Sequence, residues 1–159
     1  MLDLIIIGAS AAGCSAGVYA ARRKLNFKII TDGLGGEVAL SGVVNNWPGT
    51  IEIPGYELAK NFVDHVKSYD TVIDEGWRVE SIKPEKNYFI ITAKNATGET
   101  KTEETKAVII ATGIHPRRLG IPGEKEFDRK GVTYCTVCDG PLFKGKEVVV
   151  VGGGDTATI

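Results

Sequence analysis

Leu2-Asp3-Leu4-Ile5-Ile6-Ile7-Gly8-Ala9-Ser10-Ala11-Ala12-Gly13 is the stretch that decides how this chain folds. Leu2 to Ile7 is an apolar, β-branched run of the kind that forms a strand buried on both faces. Ala11 to Lys24 is rich in alanine and closes on Arg22, Arg23 and Lys24, cations that suit the negative end of a helix. Phe27 to Thr31 repeats the short apolar run, and Asp32-Gly33-Leu34-Gly35-Gly36 ends it with turn residues. Strand, helix and strand together make a βαβ unit of about 30 residues.

Gly8-x-Ser10-x-x-Gly13, lying between strand and helix, has the context of a dinucleotide-binding turn. The first glycine permits the tight turn, a small second residue lets backbone N–H groups approach a pyrophosphate, and the last lets helix and strand pack closely. Ser10 stands where a second glycine is usual, but it is small and its hydroxyl can bond a phosphate oxygen. A glycine-rich helix start with no ligand is the competing reading. A second copy argues against it, because an apolar strand from Glu147 to Val151 runs into Gly152-x-Gly154-x-x-Ala157, with Asp155 inside the turn. Two such turns imply two nucleotides.

The 159 residues include 20 glycines and 6 prolines and are 43% hydrophobic and 25% charged, the composition of a globular rather than a disordered chain. Length alone fits a single domain, which the paired turns contradict. A formal net charge of -1 gives no field to gather nucleic acid or anionic lipid, so neither is expected as a partner. No apolar run approaches the ~20 residues of a membrane span, and no signal peptide precedes the first strand, so a cytoplasmic location is expected.

Tyr56, Leu58, Ala59, Phe62, Val63, Val66 and Tyr69 recur at helical spacing after the Pro54-Gly55 break, with His65 reading as a surface residue. Thr71 to Asp74, Arg78 to Ile82, Tyr88 to Ala93 and Glu99 to Lys106 read as the short strands of a β-meander. Asn95-Ala96-Thr97 matches a glycosylation sequon but reads as a turn. Ala107 to Ala111 reads as another buried strand, ending at Thr112-Gly113. Beyond Pro116 the chain becomes charged and punctuated by Gly120, Pro122 and Gly123, as in a crossing between two structural units.

Cys135-Thr136-Val137-Cys138 lies between the two turns. In a reducing compartment such a pair reads as redox or metal chemistry. At a helix start the two cysteines can close a disulfide, and the positive helix end lowers a thiol pKa. Half of a zinc site is the alternative, but Cys14, the remaining cysteine, sits in the first helix and reads as a small core residue, and no metal is expected. Asp139 serves either as a helix-start residue or as an acid/base that protonates a leaving thiolate.

The order of these motifs resembles the low-molecular-weight thioredoxin reductases of the pyridine nucleotide-disulfide oxidoreductase family. In that family NADPH reduces FAD, FAD reduces a Cys-x-x-Cys disulfide and the dithiol reduces a partner protein. The resemblance is carried by Gly8-x-Ser10-x-x-Gly13, Gly35-Gly36-Glu37, Asn46-Trp47-Pro48-Gly49, Ala111-Thr112-Gly113, Cys135-Thr136-Val137-Cys138-Asp139-Gly140 and Gly152-Gly153-Gly154-Asp155, and it covers the whole chain. It implies that Cys138 receives electrons from the flavin, that Cys135 attacks the partner's disulfide and that Asp139 is the acid/base. It also implies FAD contacts from the first glycine turn with Ala11, and from Asp32, Gly35, Gly36, Glu37, Asn46 and Ala111. Asn46 would lie near the flavin, Thr112 and Gly113 near the pyrophosphate, and the Val79 backbone near the adenine. Glu37 stands where the family commonly has glutamine, and Trp47 either covers the flavin or packs in the core. Gly152, Gly154 and Asp155 would begin the NADPH site.

The expectation is an α/β fold with a Rossmann-like FAD-binding domain and a β-meander over residues 1–115, lacking its C-terminal segment. Residues 116–159 would be the truncated start of a second Rossmann-like domain, for NAD(P)H, carrying the dithiol. The expected activity is FAD-dependent thioredoxin-disulfide reduction, with NADPH as donor, a thioredoxin-like protein as partner and a homodimer at full length. Two alternatives stay open: a non-enzymatic redox-sensing or binding module, and a related flavin reductase with another donor or a peroxiredoxin partner.

Overall fold

The computed structural model describes residues 1–128, 130–154 and 157, and describes the backbone alone for Val137 and Cys138. The chain divides into two compact units, Met1–Ile114 and His115–Ile159.

In the first unit, strand β1 (Leu2–Ala9), helix α1 (Ala11–Arg22) and strand β2 (Phe27–Leu34) form the expected βαβ unit. A short helix α2 (Gly36–Leu40), a small ladder of β3 (Val43–Val44) with β4 (Ile53–Pro54), and helix α3 (Gly55–Lys67) follow. Strands β5 (Val72–Glu75), β6 (Trp77–Pro84), β7 (Phe89–Asn95) and β8 (Thr100–Ile110) complete the unit. A single six-stranded sheet takes the order β5-β2-β1-β8-β7-β6. Its β5-β2-β1-β8 half is parallel and its β8-β7-β6 half antiparallel, a Rossmann-like α/β arrangement carrying a meander.

Successive residues of a strand face opposite ways, and β1 uses both faces. Leu4 and Ile6 enter a core with Cys14 and Ala20 of α1, Val63 and Val66 of α3, and Ile29 of β2. Ile5 and Ile7 enter a second core with Ile30, Ile91 and Ala93, to which Val79, Phe89 and Val108 of the meander add their side chains. A strand covered twice has no solvent face to mark with polar residues, which accounts for the apolar run in the sequence. Ile5, Ile6, Ile29, Ile30 and Ile91 are wholly buried, and each such side chain contributes about 1.5–3 kcal/mol through burial.

Strand β5, expected to begin the meander, instead extends the parallel half by pairing with β2, from Lys28 opposite Val72 to Thr31 opposite Glu75. Charged side chains tie this edge to the meander. Lys28 Nζ donates to Asp74 Oδ2 at 3.2 Å and Glu103 Oε1 at 2.7 Å, and Lys101 Nζ donates to Asp74 Oδ2 at 2.6 Å. Lys101 Nζ also lies 4.2 Å above the Trp77 ring, a cation–π contact. Burial disfavours the Asp74 carboxylate, but hydrogen bonds from Lys101 and Lys28 outweigh it and hold the carboxyl below its ordinary value. Lys28 is likewise penalised by burial and raised on balance by Glu103 and Asp74.

Glu99 to Lys106 and Ala107 to Ala111, read from sequence as two strands, are largely one strand, and its last part is not buried: Ile110 is 67% exposed. The cause is register. Phe89, the first residue of β7, pairs with Thr105, so β8 beyond that point has only β1 beside it. The Asn95-Ala96-Thr97 segment is the hairpin turn between β7 and β8, where Asn95 Oδ1 accepts from the backbone N–H groups of Thr97 at 3.1 Å and Glu99 at 2.9 Å.

In the second unit a turn of helix, α4 (Thr136–Asp139), is continued by a 3₁₀ turn from Gly140 to Phe143. The strand expected from Glu147 to Val151 does not form: those residues enter no ladder among the described residues, and Val149 is 89% exposed. A strand exists through its partner's hydrogen bonds, and apolar character alone does not supply one. Among the described residues no helix is long and apolar enough to cross a membrane.

Candidate functional site

The glycine turn of the first unit is built by backbone pressed on backbone. Gly8 interrupts the β1–β2 register at a φ of 105°. A Cβ at Gly8 would lie 2.3 Å from the Ala111 carbonyl oxygen, and one at Gly13 would lie 1.9 Å from the Gly8 carbonyl oxygen. Ala111 reaches the turn because its N–H donates to Ile7 O at 2.8 Å as β8 ends. The sequence thus places α1 against β1 at a separation that side chains at these positions would prevent.

Gly35 and Gly36 belong to the same cradle. The Gly35 N–H donates to Ala9 O at 2.8 Å, and a Cβ at Gly36 would meet Ser10 Cβ at 3.3 Å. The Ser10 hydroxyl, expected from sequence to be available for a phosphate, donates to Gly35 O at 2.7 Å and locks the two glycine turns together. One hydroxyl carries one proton, so Ser10 has none left to donate. Because Ser10 makes no side-chain cap and the first turn of α1 holds no acidic residue, the N–H groups at the head of this 12-residue helix favour an anion.

Around the cradle, Ala11 is the first residue of α1 and Glu37 the second of α2. Asp32 is exposed on β2. Thr112 follows β8 and lies beside Gly8, its Cα 3.4 Å from the position of a Gly8 Cβ; Gly113 comes next, exposed at a φ of 67°. Val79 packs its side chain against the meander core, and the β6–β7 register shifts between Val79 and Ser81. Asn46 lies exposed in the loop between β3 and β4. Its neighbour Trp47 is 40% exposed, with its ring 4.8 Å from that of Phe62. Both line a cavity of about 540 Å³ beside α1, with Cys14 in its wall. Cys14 is 2% exposed, and burial pushes its thiol up to about 11, which leaves it inert as a nucleophile.

In the second unit Cys135 is disulfide-bonded; the Cys138 side chain lies outside the described residues. The Asp139 N–H donates to Cys135 O at 2.9 Å, which closes α4. The Asp139 carboxylate accepts a hydrogen bond from the Thr133 hydroxyl, a contact that the sequence did not disclose. Helix α4 has only four residues, so its dipole is a small part of the electrostatics at the cysteines. Gly152 and Gly154 are exposed, with Gly152 at a φ of 120°, and Asp155 lies outside the described residues. Among the described residues no three His, Cys, Asp or Glu side chains are grouped to hold a metal ion.

The sequence profile of the pyridine nucleotide-disulphide oxidoreductases matches residues 2–159. The chain is 42% identical over 156 residues to a thioredoxin reductase of Bacillus subtilis (strain 168), covering 98% of this chain and 48% of that one. It is 44% identical over 157 residues to a thioredoxin reductase of Ureaplasma parvum, with the same coverage. The crystal structure of thioredoxin reductase from Streptococcus pyogenes superposes with a TM-score of 0.85 at 39% identity, over 99% of this chain and 50% of that one. The chain spans about half the length of the curated relatives it matches.

Proposed function

Because the chain belongs to the pyridine nucleotide-disulphide oxidoreductase family, we propose that it forms the FAD-binding core and the redox-active dithiol of an FAD- and NADPH-dependent thioredoxin-disulfide reductase. The observation that carries this reading is the pairing, within one chain, of the backbone cradle at Gly8, Gly13 and Ala111 with a disulfide-bonded Cys135. The likeness to thioredoxin reductases over nearly the whole chain supports it.

The residues present fit a flavin dinucleotide. The cradle at Gly8 and Gly13 leaves no room for side chains, and the uncapped head of α1 suits a pyrophosphate. Gly8, the Ser10 backbone, Ala11 and Gly13 would hold that group from one side, and Ala111, Thr112 and Gly113 from the other. Asp32, Gly35, Gly36, Glu37 and the Val79 backbone would serve the rest of the cofactor on the adenosine side, and Asn46 the flavin. FAD supplies two-electron transfer between a nicotinamide and a disulfide. Residues 1–115 would be this domain, and residues 116–159 the opening of an NADPH domain with Gly152, Gly154 and Asp155 in its first turn. The division between Ile114 and His115 supports that boundary.

The chain's own chemistry is thiol exchange. In the reduced pair, the Cys135 thiolate attacks one sulfur of the partner's disulfide, forms a mixed disulfide and expels one partner thiolate. The Cys138 thiolate then attacks Cys135 Sγ, closes the intramolecular disulfide and expels the second partner thiolate. Two electrons pass to the partner, and each expelled thiolate takes up a proton. Asp139, oriented by the Thr133 hydroxyl, would supply one of these protons in its protonated form. A thioredoxin-like protein is the partner of this reading, and a homodimer its assembly.

The test is an absorbance titration of this chain, and of a hybrid in which the second half of the Bacillus subtilis relative follows Ile159. The hybrid should purify yellow and bleach on addition of NADPH. A hybrid that folds but retains no flavin would overturn the assignment.

A further inference from the structure

Glu124 is a buried carboxylate, 6% exposed, that the proposed chemistry does not use. Its Oε1 accepts from the Leu119 N–H at 2.8 Å and from the Tyr134 hydroxyl at 2.8 Å, and its Oε2 accepts from the Gly120 N–H at 2.6 Å. Arg118 braces the same cluster: Nη1 donates to the Tyr134 hydroxyl oxygen at 3.1 Å and Nη2 to Asp128 Oδ2 at 2.7 Å. A charge withdrawn from water persists only where donors replace the water, and here they do. The Leu119 amide and the Tyr134 hydroxyl hold the Glu124 carboxyl below its ordinary value.

The placement of Tyr134 gives this cluster its consequence, because Tyr134 immediately precedes Cys135. The residue before it, Thr133, donates its hydroxyl to Asp139 on the far side of the dithiol. The chain entering Cys135 is therefore tied at two successive residues, back to the 118–124 loop through Tyr134 and forward across the cysteine pair through Thr133. We propose that Glu124 is a positioning residue for the dithiol, acting through Tyr134 to hold the chain at Cys135 where the disulfide closes. The inference rests on the reading of Cys135 and Cys138 as the redox pair. A tethered approach keeps one sulfur at high effective concentration beside the other, so disulfide formation is favoured. Releasing the tether spreads Cys135 over more conformations and makes the disulfide easier to reduce.

The experiment equilibrates the full 159-residue chain with mixtures of reduced and oxidised glutathione, without flavin or nucleotide. In the oxidising direction each molecule of glutathione disulfide takes two electrons from the protein dithiol and leaves as two glutathione thiols. The disulfide fraction is read by mass after alkylation, for the parent, Tyr134→Phe, Glu124→Gln and the double variant, with thermal melting in parallel. Tyr134→Phe removes one oxygen atom and remains decisive if Glu124→Gln does not fold. The equilibrium constant for disulfide formation should fall about tenfold in each single variant, equivalent to about 30 mV for a two-electron couple, and the double variant should fall no further. A parent-like constant in Tyr134→Phe, even with a lowered melting temperature, would make the cluster merely structural and overturn the proposal. A failure of the reductase reading would show instead in the flavin spectrum of the hybrid, which this measurement does not involve.

Discussion

Gly13→Ala places a methyl group where backbone already lies. The new Cβ would stand 1.9 Å from Gly8 O and 2.8 Å from the Gly8 carbonyl carbon, against an ordinary contact that begins at 3.4 Å. The head of α1 must therefore retreat from β1 by about 1.5 Å, the difference between the closest approach and that contact. No rotamer change relieves the clash, because the atoms struck are main chain. The retreat loosens the packing of Leu4, Ile6, Cys14 and Ala20, and overpacking of this kind costs about 2–3 kcal/mol. For a chain of this length the melting temperature should fall by roughly 5–10 °C. Gly17→Ala meets side chains rather than main chain, Val66 Cγ2 at 2.7 Å and Ile29 Cδ1 at 3.1 Å, which give way by small shifts of the packed core, so its loss should be smaller. Gly33→Ala meets nothing within 4 Å and should stay within about 0.5 kcal/mol of the parent. Thermal melting followed by circular dichroism ranks the three, and flavin retention in the hybrid should rank them the same way. A Gly13→Ala chain that melts with the parent would refute the backbone cradle.

The Asp74 cluster predicts a specific acid limb. Its carboxyl lies below the ordinary 3.8, so its ties contribute stability above that value and lose it as pH falls through the lower folded pKa. Lys28 lies above the ordinary 10.5, so its share is present below that value and disappears as pH rises through the higher folded pKa. Asp74→Asn should cost roughly 1–2 kcal/mol near neutrality and remove this part of the acid loss; an acid limb identical to the parent's in melting experiments would contradict the assignment. Cys14, its thiol raised to about 11 by burial, should alkylate far more slowly than Cys135 in the native, reduced chain near neutral pH. Peptide mapping that finds equal rates would contradict the packing of α1 on β1.

The βαβ opening was legible because its constraints are local: an apolar run too continuous for a half-exposed strand, two glycines where backbones meet and a cationic helix end. The limits of legibility were tertiary. Thr71 to Asp74 alternates equally well as a meander strand or as a parallel edge, and only pairing with β2 decides between them. The run from Glu147 to Val151 has the composition of a strand and no ladder among the described residues. The sequence shows Ser10 to be small, but its role as the donor that joins the Gly8 and Gly35 turns depends on a partner 25 residues away. Glu124 sat in a charged, glycine-punctuated segment that read as a crossing, since no local pattern signals that a glutamate is buried. The one available signal was Gly120 and Gly123 just ahead of it, in a loop tight enough to turn two amides onto one carboxylate.

The most direct test of the dithiol chemistry uses a thioredoxin with a single active-site cysteine, presented as its mixed disulfide with thionitrobenzoate. The reduced Cys138→Ser chain should displace one equivalent of the coloured thiolate and form a covalent adduct through Cys135, cleaved by dithiothreitol. The reduced Cys135→Ser chain should do so far more slowly. Equal or faster adduct formation by Cys135→Ser would contradict Cys135 as the nucleophile and, with it, the proposed path of electrons to the partner.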